Sequence, residues 1–415
     1  MGCGGGCASN SCGSLDIKDE ELKKKTEMHP CYSEGGHKYA RMHMPVAPAC
    51  NIQCNYCNRL YDCVNESRPG VTSEVLLPDE ALEKYKFVKS KMENLQVVGI
   101  AGPGDAFANW ENTKETIKLI KEFDPNMTPC LSTNGLMLPK YVDEIVELGV
   151  SHVTVTMNSI DPEIGAQIYE YISYEGNILK GREAALILQN NQLEGIKRLV
   201  EKGVLVKVNI VMVKGINDRH IPQVTKKAKE LGAFMTNIMP LIPAKGTAFE
   251  NMPLVSNKEL NELRKECSVD IKQMYHCQQC RADAIGVLNQ DRSLEFRNFK
   301  KKTGELKFAV ASKDGILIDQ HFGHVDKFYI YGYDKINGAK LLEERKVEKY
   351  CAGKESCSED EKKSNALETI ADCNAVLSVR IGYEPKRKLK AQNIESIELY
   401  DTIEEGIRFA AKKYA

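Results

Sequence analysis

Two stretches of the chain share one grammar: EIVELGVSHVTV at 144–155 and RLVEKGVLVKV at 198–208 each finish a helical pattern, spend one glycine and begin a β-branched run. Glycine supplies the left-handed residue that closes a helix, and β-branched residues favour the strand that follows. The alternation extends over residues 72–270, with LQVVGIAG (95–102), TPCLSTNG (128–135), HVTVTMNS (152–159) and FMTNIMPLIP (234–243) as strands. Between them ENTKETIKLIKEF (111–123) and YVDEIVELG (141–149) carry helical spacing. Strands alternating with helices imply parallel βα units. Five or six such units predict an α/β fold, a partial or full β/α (TIM-like) barrel over residues 31–290, whose site lies at the C-terminal ends of the strands.

A basic, polar stretch, RNFKKKTGE (297–305), breaks the apolar pattern and marks a linker over 291–305 that could serve as a hinge. Beyond it LKFAVAS, KFYIYGYD and NAVLSVRIG read as strands, with helices near 361–371 and 402–412. These make a second α/β domain over 306–415. At the other end, residues 1–30 open with MGCGGGCASNSCG, where glycine forbids a packed core and Cys3, Cys7 and Cys12 sit on a flexible tail.

The charges nearly cancel, 57 basic against 58 acidic residues, which leaves no electrostatic footprint for nucleic acid or an anionic membrane. No apolar run approaches the ~18 residues of a membrane span, and no signal-peptide pattern opens the chain, so a cytoplasmic protein is expected. In reducing cytosol fifteen cysteines point to metal ligation or catalysis rather than disulfides. Cys373, ahead of an apolar strand, reads as core.

CNIQCNYC places Cys50, Cys54 and Cys57 within eight residues, with Cys50 after APA at the expected end of a first strand. Closed zinc sites and ferredoxin cubanes take four protein ligands, so three leave one position open for substrate. The C-x3-C-x2-C order, with aromatic Tyr56 before the last cysteine, resembles the signature of the radical S-adenosylmethionine (SAM) superfamily. That resemblance implies a [4Fe–4S] cluster on Cys50, Cys54 and Cys57, SAM chelating the fourth iron, and reductive cleavage to methionine and a 5′-deoxyadenosyl radical. GIAGPGD (99–105), with Gly102, Gly104 and Asp105, resembles the family's loop against the SAM amino group. Ser132 and Asn134 of STNG, Asn158 with Ser159, and Asn209 stand at predicted strand ends as SAM-contacting residues would; each would serve equally as a turn or cap.

Further soft ligands could reach the barrel mouth: His29, Cys31, His37, His43, Cys63, Cys130, Cys267, Cys277 and Cys280. They are too many for one cluster and about enough for three; Cys277 and Cys280 alone could also hold zinc. The block HPCYSEGGHKYARMHMPVAPACNIQCNYCNRLYDCVNESRPGV, then AGPGDAFAN, LSTNG and CQQCRADAIG, is similar to the nitrogenase-cofactor assembly branch of the radical SAM enzymes. The resemblance implies that two further [4Fe–4S] clusters, K1 and K2, are substrates joined around a carbide taken from a SAM methyl group. It assigns His43, Cys63 and Cys130 to K1 and Cys31, Cys277 and Cys280 to K2, and leaves His29 and His37 spare. Glu66 and Arg68, charged and next to the Cys63 loop, could move protons or hold SAM, or serve equally as plain solvated salt-bridging residues. The resemblance also implies iron–sulfur donor and cofactor-carrier or scaffold proteins as partners, and a ferredoxin or flavodoxin as electron donor.

FAVASKDGILIDQHFGHVDKFYIY resembles the small dinitrogenase-cofactor-binding domain of the NifX and NifY type, which implies a ribonuclease-H-like fold and puts His321 and His324 on a loop that could take iron. Cys351 and Cys357 carry no assigned role. Two other readings stand beside this one: a peptide-modifying radical SAM maturase with auxiliary clusters, and a non-enzymatic multi-cluster electron carrier.

Overall fold

The computed structural model describes residues 17–65, 72, 74–296, 306–334, 338–347, 366–392 and 394–411. The chain divides into two compact units, Met1–Arg297 and Asn298–Ala415. Cys3, Cys7, Cys12, Glu66, Arg68, Cys351 and Cys357 lie outside the described residues, as does 297–305.

In the first unit the strands are β1 (Ala40–His43), β2 (Ile52–Cys54), β3 (Leu95–Ile100), β4 (Thr128–Thr133), β5 (His152–Thr156), β6 (Tyr169–Tyr174), β7 (Asn177–Leu179), β8 (Leu205–Met212), β9 (Met235–Pro240), β10 (Ile285–Val287) and β11 (Gln290–Asp291). The helices are α1 (Glu20–Glu27), α2 (Pro78–Lys89), α3 (Trp110–Phe123), α4 (Leu138–Glu147), α5 (Pro162–Ile168), α6 (Gly181–Glu201), α7 (Ile221–Glu230) and α8 (Asn257–Cys267). Six strands run parallel in the order β1-β3-β4-β5-β8-β9, and β10 and β11 extend the sheet antiparallel beyond β1. The result is a partial β/α barrel with an open sheet. Both repeated joins behave as the sequence predicts, since Gly149 (φ 68°) follows α4 and Gly203 (φ 80°) follows α6.

Three features depart from the sequence reading. The first strand ends at His43, well before Cys50, and the three-thiol loop supplies a strand of its own. That strand, β2, pairs antiparallel with β6 in a separate three-stranded sheet with β7. The chain expected as tail forms α1 from Glu20, capped by the Asp19 carboxylate, and Thr26 on it meets His152 Nε2 at 3.0 Å. Of the expected linker, β11 and the turn Ser293–Phe296 belong to the first unit, where Phe296 is buried with its ring against Phe87.

The second unit holds β12 (Leu306–Val310), β13 (Lys327–Asp334), β14 (Gly338–Lys346), β15 (Ala375–Ser378) and β16 (Glu395–Glu398), with α9 (Tyr383–Ala391) and α10 (Ile403–Ala411). Its sheet order is β14-β13-β12-β15-β16; the first three strands are antiparallel and β15 and β16 run parallel to β12. This is the ribonuclease-H-like arrangement. Apolar clusters cover both faces, one around Phe322, Phe328 and Cys373 and the other around Phe308, Ile318 and Ile407. Cys373 is wholly buried, as its place before an apolar strand predicts.

Candidate functional site

Side chains two apart on a strand share a face, and the inner face of the open barrel is written in such pairs: Arg41 and His43 on β1, Val97 and Gly99 on β3, Cys130 and Ser132 on β4, Lys207 and Asn209 on β8. With Thr154, Asn237, Met274 and the run from Cys277 to Cys280 they wall a cavity of about 630 Å³ that His29 and Cys31 also border. Gly99 makes room for the imidazole of His43, because a Cβ there would stand 3.0 Å from its Cδ2.

A second cavity, of about 370 Å³, is ringed by Cys50, Cys54, Cys57, Cys63, Gly104, Asp105, Asn134 and Thr156. Ser132 borders both, so the two are neighbours. The structure therefore gathers the three-thiol loop with Cys63 on one side, and His43, Cys31, Cys130, Cys277 and Cys280 on the other. Cys63 does not line the cavity that His43 and Cys130 share. Cys267 is buried on α8 and His37 sits against the His276 ring; neither borders either cavity.

The loop is seated by backbone and buried polar contacts. Asn55 N–H donates to the Ile168 carbonyl at 2.8 Å, and Gln53 Nε2 reaches the Cys57 carbonyl at 2.7 Å. Tyr56, fully buried, donates its hydroxyl to Asn65 Oδ1 at 2.5 Å and accepts from Asn158 Nδ2 at 2.6 Å. Asn158 is thus spent beneath the loop, its Oδ1 taken by Val211 N–H, and it borders neither cavity. Asn209 borders the larger cavity instead of the loop's. Asn134 stays at the loop, with Nδ2 on Asn51 Oδ1 at 2.7 Å and 3.8 Å from Cys50 Sγ.

The glycine turn after β3 holds the loop from the other side. Gly104 N–H donates to the Ala47 carbonyl at 2.6 Å and Asp105 N–H to the Ala49 carbonyl at 2.8 Å. A Cβ on Gly104 would stand 2.0 Å from the Ala49 oxygen, so glycine is required here for the approach of chain to chain. Asp105 is buried and accepts from Asn134 N–H at 2.6 Å and from Thr133 Oγ1, which joins the β3 and β4 loops; burial pushes its carboxyl upward.

The donor set suits iron better than free-thiol chemistry. All ten described cysteines are thiols outside disulfides. Burial pushes Cys50 up to about 12, Cys54 well above the ordinary range and Cys57 upward, which makes them poor nucleophiles, since the thiolate is the reactive form. Iron supplies the positive charge that a thiolate needs there. Among the described residues no three His, Cys, Asp or Glu side chains converge as ligands of a single ion; a cubane instead takes its thiolates on separate irons. Four thiols border this cavity, and the three of the loop, Cys50, Cys54 and Cys57, fit a [4Fe–4S] cluster.

In the larger cavity burial raises Cys31 to about 11 and pushes Cys277 upward. His43 is held down to about 4 by burial and by Arg41. Its Nδ1 lies 2.8 Å from the Arg281 carbonyl, which can only accept, so Nδ1 carries the proton and Nε2 keeps its lone pair for a metal. His29 is arranged the opposite way: Nδ1 accepts from Cys31 N–H at 3.1 Å, so Nε2 carries the proton. His321 and His324 of the second unit are exposed, on either side of the buried Phe322, with ring centroids 5.5 Å apart.

Sequence reasoning passed over Arg41 and Lys207. A lone lysine inside the apolar run VLVKVNIVM, two residues before an asparagine, was the signal for the second; for Arg41 the sequence carried none.

Residues 44–228 match the model of the radical SAM superfamily, and residues 304–413 match that of the dinitrogenase iron–molybdenum cofactor domain. Curated sequences named FeMo cofactor biosynthesis protein NifB align over nearly the whole chain. That of Klebsiella pneumoniae is 46% identical over 89% of this chain and 87% of its own length. Those of Azotobacter vinelandii (41% identical; 94% and 89%) and Frankia alni (40%; 97% and 91%) are similar. Among solved structures, methylornithine synthase (PylB) is 16% identical over 66% of this chain and 81% of its own, with a TM-score of 0.39. Streptococcus suis SuiB bound to S-adenosylmethionine gives 12%, 56%, 50% and 0.40.

Proposed function

Because this chain belongs to the family of FeMo cofactor biosynthesis proteins NifB, we propose that it fuses two [4Fe–4S] clusters, K1 and K2, into the precursor of the nitrogenase cofactor. That precursor, NifB-co, has eight irons, nine sulfides and a central carbide drawn from a SAM methyl group. At the coarser level the protein is a radical SAM enzyme of FeMo cofactor biosynthesis.

One observation carries the reading. Beside the cavity of the three-thiol loop, and sharing Ser132 with it, lies a larger one lined by Cys31, Cys130, Cys277, Cys280 and His43. A radical SAM enzyme acting on a small organic substrate has no need of four thiols and an imidazole there. Cys50, Cys54 and Cys57 would hold the resident cluster, which when reduced supplies the electron that splits the SAM sulfonium bond. Gly104 and Asp105 fix the loop against β3, and Asn134 orients its first cysteine. Ser132, at the junction, is a residue for contact with SAM.

For the substrates we assign His43, Cys63 and Cys130 to K1 and Cys31, Cys277 and Cys280 to K2. K1 then draws one ligand from the loop's cavity and two from the larger one. Neutral imidazole is more easily released than thiolate, which suits a cluster that must leave its site during fusion. One SAM methylates a sulfide of K2 by polar displacement, and a second SAM supplies the 5′-deoxyadenosyl radical that takes hydrogen from that methyl. Iron–sulfur donor and cofactor-carrier proteins, and a ferredoxin or flavodoxin, are the partners this chemistry needs. The second unit receives the product, with His321 as its iron contact.

The test is made under argon. Replacing Cys50, Cys54 and Cys57 by alanine should abolish 5′-deoxyadenosine formation. Replacing Cys277 and Cys280 should abolish transfer of labelled SAM methyl while leaving abortive cleavage; methyl incorporation at the wild-type level in that variant would overturn the assignment.

A further inference from the structure

The larger cavity is walled by two cations, Arg41 and Lys207, and, among the described residues, by no aspartate or glutamate. Both side chains are deeply buried, at 2% and 6% exposure. A wall that carries two cations, with no carboxylate among the described lining residues, has a positive potential that suits an anion.

The hydrogen bonds point the same way. Arg41 spends Nη1 on the carbonyls of Gly286 and Val287, and sends Nη2 to Cys280 Sγ at 3.0 Å. Its Nε has no partner, and neither has His29 Nε2; both are buried atoms of residues that line this cavity. Lys207 rises from β8 with its ammonium 5.3 Å from the Tyr32 ring centroid, and its charge opposes the effect of burial on the thiols of Cys31 and Cys277. The wall therefore offers N–H donors and positive charge to a ligand rich in sulfide.

Resting on the reading of this cavity as the cluster-binding one, we propose that Arg41 and Lys207 are the counter-charges of the cluster cargo. Lys207 faces its sulfides as an ammonium donor, and Arg41 donates an N–H···S bond to the Cys280 thiolate that holds it. Positive charge and hydrogen bonds to sulfur favour the reduced, more anionic state and so raise the reduction potential of an iron–sulfur cluster. These are positioning residues, and their effect is on retention and potential.

The test uses the full chain, reconstituted with iron and sulfide under argon. Iron per chain is counted and midpoint potentials are read by electron paramagnetic resonance, following the signals that added SAM does not perturb. Lys207→Met is expected either to lose cluster iron or to shift those potentials at least tenfold toward the oxidised state, which is 59 mV more negative for one electron; Lys207→Arg should restore them. Arg41→Gln should act in the same direction. Because Arg41 also ties β1 to the β10 carbonyls, the lysine arm stands by itself if that variant fails to fold. Wild-type iron and unchanged potentials in Lys207→Met would overturn the proposal. If the Cys277→Ala, Cys280→Ala chain keeps wild-type iron, the reading of the cavity itself fails; if that chain loses iron while Lys207→Met changes nothing, only the counter-charges fail.

Discussion

Replacing Gly104 with alanine puts a methyl carbon 2.0 Å from the Ala49 carbonyl oxygen, 2.5 Å from its carbon and 2.9 Å from the Ala47 oxygen. All three are backbone atoms, so no side chain can swing aside, and carbon needs more than 1 Å of extra room, roughly, to reach ordinary contact. The retreat breaks the bonds from Gly104 N–H to Ala47 and from Asp105 N–H to Ala49. Overpacking costs about 1–3 kcal/mol, and two hydrogen bonds cost about 1 kcal/mol each. The total, about 3–5 kcal/mol, falls on the chain that delivers Cys50, and corresponds to a loss of roughly two to four orders of magnitude in the seated population of the loop. The assay is anaerobic reconstitution, with iron per chain and 5′-deoxyadenosine as readouts. About four irons should be lost, those of one cubane, together with SAM cleavage. Gly176→Ala is the control. That glycine has φ 79° but nothing within 4 Å of its missing Cβ, so alanine there costs only the left-handed strain of about 1–2 kcal/mol and should keep its iron. Wild-type iron and cleavage in Gly104→Ala would refute the reasoning.

Tyr56→Phe removes a hydroxyl that serves both Asn65 and Asn158; stranding buried amides should cost about 1–3 kcal/mol, read as a lower Tm and faster chelator extraction of the loop's iron. His152 is wholly buried, and burial holds its pKa down to about 3 against an ordinary 6.5. Between those values the unfolded chain binds the extra proton, so stability falls as pH drops below about 6.5, by at most about 1.4 kcal/mol per pH unit from this group. Urea midpoints at pH 7 and pH 5 should therefore lie closer together in His152→Gln. Truncation near residue 303 should leave SAM cleavage and carbide insertion largely intact while product is lost faster, and His321→Ala should reproduce part of that loss, followed by the cluster absorbance that stays with the protein on gel filtration.

The strands that end in glycine or a polar turn were legible because local pattern and global fold agree there: β3, β4, β5, β8 and β9 are apolar runs that any environment would extend. The strand inside the three-thiol loop was not. Ile52–Cys54 is three residues long, and it becomes a strand only through pairing with Tyr169–Ile172, more than a hundred residues away. The same holds for β10, which exists by its partnership with β1. Within the site, cysteine spacing marked the loop because three ligands of one cluster must be close in sequence or be brought close by folding. Asparagines at strand ends are ambiguous for a physical reason: Asn158 and Asn134 carry the same amide, and only packing decides that one serves the buried Tyr56 hydroxyl and the other the loop. Cys63 follows the loop closely in the chain and remains beside it, while His43 and Cys130 face the neighbouring cavity. No spacing rule could have drawn that division, because it depends on which face of β1 and β4 looks inward.

The antiparallel pairing of β1 with β10 has a consequence for the ribosome. The larger cavity takes residues from His29 to Leu288, so its wall is complete only when nearly the whole first unit has been made. The three-thiol loop needs β6 and, last in the chain, Phe249, whose N–H donates to the Asn55 carbonyl. At synthesis rates of roughly 5–20 residues per second, about 2–8 seconds separate the two. A nascent chain thus completes the seat of its three-thiol loop before it closes the wall of the larger cavity.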